Sequence, residues 1–144
     1  MAALGAFSST IANAQTAFET RRAEAFCSEK WTKRGVLDPS MFNFCIKKQV
    51  EGYKNTLSHM NEYRQVKNLK DVLAWVEGKW LGRQYQYDMV AFSLKKEAEA
   101  YLDLQYDIKQ GKISSSVAEG CTNKWLKPNK PQWSMVYYCA KRAK

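Results

Sequence analysis

Four cysteines are the residues of this chain with the clearest capacity for chemistry. Cys27 and Cys45 are 18 positions apart, and Cys121 and Cys139 are separated by the same interval. Four cysteines allow three disulfide connectivities, and four buried free thiols are the alternative. A metal site is the weakest interpretation, because no C-x-x-C spacing occurs. The cysteines alone leave the choice between disulfides and thiols open.

Residues for catalysis are scarce. His59 is the sole histidine, which argues against His-based zinc sites and Ser-His-Asp triads. No Walker loop, dinucleotide fingerprint or HExxH motif is present. Four acids, Glu97, Glu99, Asp103 and Asp107, lie among lysines at spacings typical of a solvated helix face. The sequence therefore predicts a protein that is not an enzyme and uses no cofactor and no metal.

The chain is basic, with 23 Lys and Arg against 14 Asp and Glu in 144 residues, a formal charge of +9. Such a charge attracts anionic surfaces and polymers. Sequence-specific nucleic-acid binding is not predicted, because no recognised module is present. No apolar run reaches the roughly 18 residues of a membrane span, so no transmembrane segment is expected.

An internal repeat organises the chain. Each copy contains a Lys-Trp pair, a methionine nine or ten residues later, and a cysteine or serine four residues after the methionine. Three matches in register indicate a tandem array. The copies are marked by Lys30-Trp31, Met41 and Cys45; by Lys79-Trp80, Met89 and Ser93; and by Lys124-Trp125, Met135 and Cys139.

The repeat resolves the cysteine question. The first and third copies have cysteine at both ends of the 18-residue interval, whereas the second has Val76 and Ser93 at the equivalent places, 17 residues apart. Loss of both together is expected if each pair forms a bridge within its own copy. We therefore predict the disulfides Cys27–Cys45 and Cys121–Cys139. Disulfides place the protein in an oxidising setting, extracellular, periplasmic or virion-associated.

Each copy is predicted to be helix, short turn, helix. Apolar residues at +4 and +3 spacing, such as Ile46, Val50 and Tyr53, indicate the second helix. Asn68, and Ser114 or Ser115, are candidate caps. The helix-breaking residues between Trp and Met are Gly35, Pro39, Gly82, Pro128 and Pro131.

The predicted fold class is therefore all-α, with little support for β-structure. We expect one domain, 1–144, made of three tandem helical hairpins at about 9–64, 68–110 and 113–144, two of them stapled by disulfides. At the N-terminus, Phe7, Ile11, Ala14 and Phe18 have helical spacing. Ala12-Asn13-Ala14 also looks like a signal-peptidase site, although no basic segment precedes it.

Two sets of residues follow from the repeat. The expected repeat core, with sulfur packed against indole, is Trp31, Met41, Trp80, Met89, Trp125 and Met135. The expected partner-binding set, a basic strip beside aromatic residues, is Lys30, Lys33, Lys79, Arg83, Lys124, Lys127 and Trp133. Further aromatic residues exceed what small hairpins need inside, and they are Trp75, Tyr85, Tyr87, Tyr106, Tyr137 and Tyr138.

The first copy also carries Cys27, Trp31, Asp38, Met41, Cys45 and Gln49. This order resembles a Cys–Trp–Asp–Met–Cys–Gln helical-hairpin module found in small, mostly uncharacterised exported proteins of bacteria and phages. The resemblance covers Cys27 to Gln49. The third copy lacks the Asp and Gln, and the second lacks both cysteines. The resemblance implies a bacterial or phage origin and an oxidising setting, but no known activity.

The predicted function is that of a non-enzymatic, disulfide-stabilised structural or interaction protein. Its partners would be proteins in a larger extracellular, envelope or virion assembly, because repeat arrays serve as surfaces and aromatic residues anchor interfaces. The alternative is a secreted or periplasmic binder or inhibitor of an anionic partner, whose binding would weaken steeply with salt.

Overall fold

The computed structural model describes residues 17–143. Six helices contain 73% of these residues, so the helical prediction is confirmed. They are α1 (Thr20–Trp31), α2 (Pro39–Glu62), α3 (Leu69–Leu81), α4 (Tyr87–Lys109), α5 (Ser115–Trp125) and α6 (Trp133–Arg142). Consecutive helices pack as pair 1 (α1 and α2), pair 2 (α3 and α4) and pair 3 (α5 and α6).

Local sequence explains where several helices begin. Asp38 caps α2, with its side chain accepting a hydrogen bond from the Met41 N–H at 3.1 Å, and Pro39 occupies the first turn. Ser114, rather than Ser115, caps α5 by accepting from the Val117 N–H at 3.2 Å. Asn68 precedes α3 in a left-handed conformation without a side-chain cap hydrogen bond.

Two β-hairpins depart from the all-α prediction. Strand β1 (Thr32–Lys33) pairs with β2 (Val36–Leu37) between α1 and α2, and β3 (Leu126–Lys127) pairs with β4 (Lys130–Pro131) between α5 and α6. The first hairpin turns at Arg34 and Gly35, whose φ values of 54° and 78° suit a two-residue loop. Strands of two residues are too short to produce an alternating sequence pattern, which is why sequence analysis missed them.

The structure describes only part of the segment in which an N-terminal helix was predicted. Phe18 lies outside any helix, because α1 begins at Thr20. Phe7, Ile11, Ala14 and the predicted hairpin segment before residue 17 lie outside the described residues.

The core lies between the helix pairs. Helix α4 is central, since it packs against α2, α3 and α6. The fully buried side chains are largely supplied by pair 2, and they include Val72 and Val76 of α3, Tyr87, Val90 and Leu94 of α4, and Val136 of α6.

The six residues expected to form the repeat core do not form it. Trp31, Trp80 and Trp125 are only partly buried, and so are the three methionines Met41, Met89 and Met135. Trp80 and Trp125 pack against the edge of the core cluster. These residues lie near the turns, at the end of each pair, where fewer neighbours can cover them.

Both predicted disulfides are present. Cys27–Cys45 joins α1 to α2 and Cys121–Cys139 joins α5 to α6, with Cα–Cα distances of 5.7 and 5.8 Å. No free cysteine remains among the described residues. Such bridges are typical of proteins in an oxidising, non-cytoplasmic environment.

Reduction should therefore loosen pairs 1 and 3 before pair 2. Pair 2 has no disulfide to lose and has a neighbouring pair on each side. Each outer pair loses a disulfide that contributes about 3 kcal/mol to the free energy of unfolding. Hydrogen exchange with and without a reductant would measure this. An equal gain of exchange in residues 76–101 would contradict the expectation.

Candidate functional site

The contact between pair 1 and pair 2 is built by α2 against the N-terminus of α4. The Gln49 side chain is buried and accepts a hydrogen bond from the Asp88 N–H at 3.3 Å. The rings of Tyr53 and Tyr87 meet edge to face, with centroids 5.1 Å apart. Gln49 thereby pairs a backbone N–H of the first turn of α4 that has no partner within the helix, and the aromatic contact adds to the same interface.

The contact between pair 2 and pair 3 has the same construction. The Glu97 side chain is buried and accepts from the Ser134 N–H and the Ser134 Oγ, both at 2.7 Å. The rings of Tyr101 and Trp133 meet edge to face at 4.8 Å. Glu97 follows Met89 by eight residues, as Gln49 follows Met41, and Ser134 precedes Met135 by one residue, as Asp88 precedes Met89.

These contacts correct two expectations. Glu97 and Asp107 were expected on a solvated face. Glu97 is buried instead, and Asp107 accepts a hydrogen bond from the Tyr137 hydroxyl at 2.8 Å. Trp133 was expected on the partner-binding surface, but it is buried and its indole N–H donates to the Lys67 carbonyl at 3.0 Å. Sequence spacing alone could not show that α6 would cover this side of α4.

Helices α2 and α4 run parallel with an offset. Gln49 contacts the start of α4 at Asp88. Ten residues later in α2, His59 lies within electrostatic reach of Lys95 and Glu99, in the third and fourth turns of α4. Burial lowers the pKa of His59 from its usual value, and the charges of Lys95 and Glu99 also act on it. The second helix of each pair therefore begins partway along the second helix of the pair before it.

In pair 2, which has no disulfide, a side-chain hydrogen bond joins α3 to α4. The Trp80 indole N–H donates to the Ser93 Oγ at 3.0 Å, and Ser93 is the residue that replaces the second cysteine. This bond ties the end of α3 to the first turns of α4.

Val76→Cys combined with Ser93→Cys should form a third bridge, because the repeat aligns these positions with the cysteines of the outer pairs. The gain in unfolding free energy should be about 1–2 kcal/mol, below the roughly 3 kcal/mol of the loop-entropy argument, since the Trp80–Ser93 hydrogen bond is lost. Thermal unfolding with and without reductant would measure it. The single Ser93→Cys variant is the control and should be less stable than the unaltered protein.

The six predicted basic residues are all exposed, and three of them recur in one arrangement. Lys30, Lys79 and Lys124 each place the ammonium group over the neighbouring tryptophan ring, at 5.8, 5.3 and 5.6 Å from the centroid. Such contacts contribute about 0.5–1 kcal/mol at exposed sites. The remaining members are Lys33, Arg83 and Lys127.

An exposed aromatic residue recurs three positions after each methionine; Tyr138 was identified from the sequence, whereas Phe44 and Phe92 were not. Phe44, Phe92 and Tyr138 are 56%, 63% and 51% exposed. We call these three residues the aromatic stripe. Two basic residues follow each of them, and the signal was present in the sequence as Met-x-x-aromatic-x-x-Lys-basic.

Two grooves border the aromatic stripe. Phe44 lines a small cavity of about 90 Å³ with Lys30, Trp31 and Lys48. Phe92 and Tyr138 line one larger groove of about 680 Å³ between α4 and α6. Its basic lining residues are Lys95, Lys96 and Lys141, and its acidic ones are Glu99 and Asp103.

The described residues contain neither a candidate metal site nor a helix that could cross a membrane. No group of three or more His, Cys, Asp or Glu residues within 17–143 could hold a metal ion. None of the described helices is both long and apolar enough to cross a membrane.

Comparison with known proteins adds no relative. No protein-family model, no curated protein and no solved structure matches this chain.

Proposed function

We propose that the three helix pairs are copies of one unit stacked in an array. The support is the repeated contact, in which a buried Gln49 or Glu97 caps the next unit and a tyrosine ring meets an aromatic ring beside it. Repetition of two different contacts at matching positions is expected of a tandem array.

The function we propose is that of a non-enzymatic structural or interaction protein, a component of a larger extracellular, envelope or virion assembly. The aromatic stripe carries this proposal, because it exposes one large ring per unit at the same position. Exposed aromatic residues are common anchors of protein interfaces, and the disulfides fit an oxidising setting.

Gel filtration of extracts from the source cells tests this function. The chain should elute within a high-mass complex, and a triple variant with Phe44→Ser, Phe92→Ser and Tyr138→Ser should elute as the free chain. Tyr106→Ser is the matched control, since Tyr106 is 58% exposed but lies outside the aromatic stripe. Elution of the unaltered protein as the free chain would refute the proposal, as would equal effects of both variants.

A second function, a secreted or periplasmic binder or inhibitor of an anionic partner, is favoured by the lysines over the tryptophans. Lys30, Lys79 and Lys124 place one exposed cation beside an indole in every unit, which suits an anionic ligand.

Elution from a heparin column in a salt gradient tests the second function. Charge reversal at Lys30, Lys79 and Lys124 to Glu should lower the salt concentration needed for elution. The same change at Lys54, Lys70 and Lys112 is the control, because these lysines are also exposed but are not adjacent to a tryptophan in the sequence. Equal shifts in both variants would show a net-charge effect only.

A further inference from the structure

The aromatic stripe is accompanied by a basic residue pair in every unit. Six and seven residues after each methionine stand Lys47 and Lys48, Lys95 and Lys96, and Lys141 and Arg142. All six are exposed. An exposed ring with two cations one helical turn away therefore occurs three times along the array.

Four of these six cations line a cavity together with a ring of the aromatic stripe. Phe44 shares its cavity with Trp31, Lys30 and Lys48. Phe92 and Tyr138 share the groove between α4 and α6 with three lysines. The two later rings thus lie in one groove, and Phe44 lies in a cavity of its own.

The existing ion pairs would not prevent binding of an anion. Lys48 lies 3.5 Å from Asp88 and Lys47 lies 4.0 Å from Glu51, and all four side chains have solvent access. Pairs of this kind are worth little, so a phosphate can replace the carboxylate at small cost. Glu99 and Asp103 keep the net charge of the larger groove low, and stacking must therefore supply much of the affinity.

A ligand for this surface needs regularly spaced negative charges and flat faces for stacking. Single-stranded nucleic acid has both, since its phosphates follow a basic groove while unpaired bases stack on aromatic side chains. Duplex DNA offers the phosphates but hides the base faces. Acidic polysaccharides offer charge without aromatic rings.

We propose that the aromatic stripe and its basic pairs bind single-stranded nucleic acid without reading its sequence. This inference rests on the second proposed function, binding of an anionic partner, and names the polymer. It is an alternative to the first function, which assigns the aromatic stripe to a protein partner. Each unit supplies one stacking ring and at least one cation in the same groove, so binding strengthens as the strand becomes long enough to reach all three rings.

Fluorescence anisotropy with a labelled oligothymidylate of about 20 nucleotides tests the proposal. The unaltered protein should bind it more tightly than a duplex of equal length, and heparin of matched charge should compete poorly. The triple variant Phe44→Ala, Phe92→Ala and Tyr138→Ala should bind at least about tenfold more weakly. Tyr106→Ala should leave binding unchanged, and circular dichroism would verify that every variant is folded.

The outcomes separate this inference from the function on which it rests. Equal affinity for single strand and duplex, or an unchanged affinity of the triple variant, overturns the inference and leaves a general polyanion binder. Tighter binding of heparin than of the oligonucleotide also overturns it and assigns the surface to an acidic polysaccharide. No binding of any of the three polymers refutes both the inference and the second function.

Discussion

Replacing Gly52 with alanine should destabilise the protein by at least about 3 kcal/mol. A Cβ at this position of α2 would lie 2.4 Å from the Asp88 N and 2.5 Å from the Tyr87 carbonyl carbon. Both are backbone atoms at the start of α4, so relief requires that the two helices separate. Overpacking of this kind exceeds the roughly 1 kcal/mol that alanine gains over glycine within a helix.

Gly78→Ala is the matched control for this prediction. Gly78 also lies inside a helix, but a Cβ added there would meet no atom within 4 Å beyond its own stretch of helix. We expect this variant to be more stable by about 0.5–1 kcal/mol, because alanine restricts the unfolded chain and favours the helix. Urea unfolding of both variants would measure the difference. Similar stabilities for the two variants would contradict the close approach of α2 and α4.

Removal of the Glu97 side chain should have an effect of similar size. In Glu97→Ala, the Ser134 N–H and hydroxyl group lose their acceptor at the buried start of α6. Hydrogen bonds to a carboxylate contribute about 1.5–3 kcal/mol each, and we expect a loss of about 3–5 kcal/mol. The loss should appear as early unfolding of pair 3, measured by hydrogen exchange.

Glu97→Gln separates the hydrogen bonds from the charge. The amide oxygen can still accept from the Ser134 N–H, as Gln49 accepts from the Asp88 N–H between pair 1 and pair 2. The Ser134 hydroxyl can rotate to accept from the amide NH₂. We expect a cost of about 1 kcal/mol. A cost equal to that of Glu97→Ala would mean that charge, rather than the repeated capping geometry, is what this position requires.

Features that depend on local spacing were predictable. The 18-residue interval and its paired loss at Val76 and Ser93 identified both disulfides, because a bridge couples two positions that change together. Apolar spacing predicted a mostly helical chain, since the 3.6-residue period depends only on neighbours within one element. The exposed lysines beside Trp31, Trp80 and Trp125 were also identified, because each neighbours its ring in the sequence.

Which side of each helix faces the core could not be predicted in the same way. The repeat pointed to the tryptophans and methionines, yet the core is centred on α4 and its partners, with Tyr87 and Val90 fully buried. The buried face of α4 must contact three helices at once, and no periodicity within one copy records that demand.

The helices and the disulfides thus depend on residues within short stretches of the chain. The burial of Glu97 and Trp133 and the exposure of the aromatic stripe instead depend on how the helix pairs pack together. The physical reason is that helix propensity and loop closure act between residues close in the sequence. Burial instead depends on which distant helix packs its N-terminus against Gln49, Gly52 and Glu97.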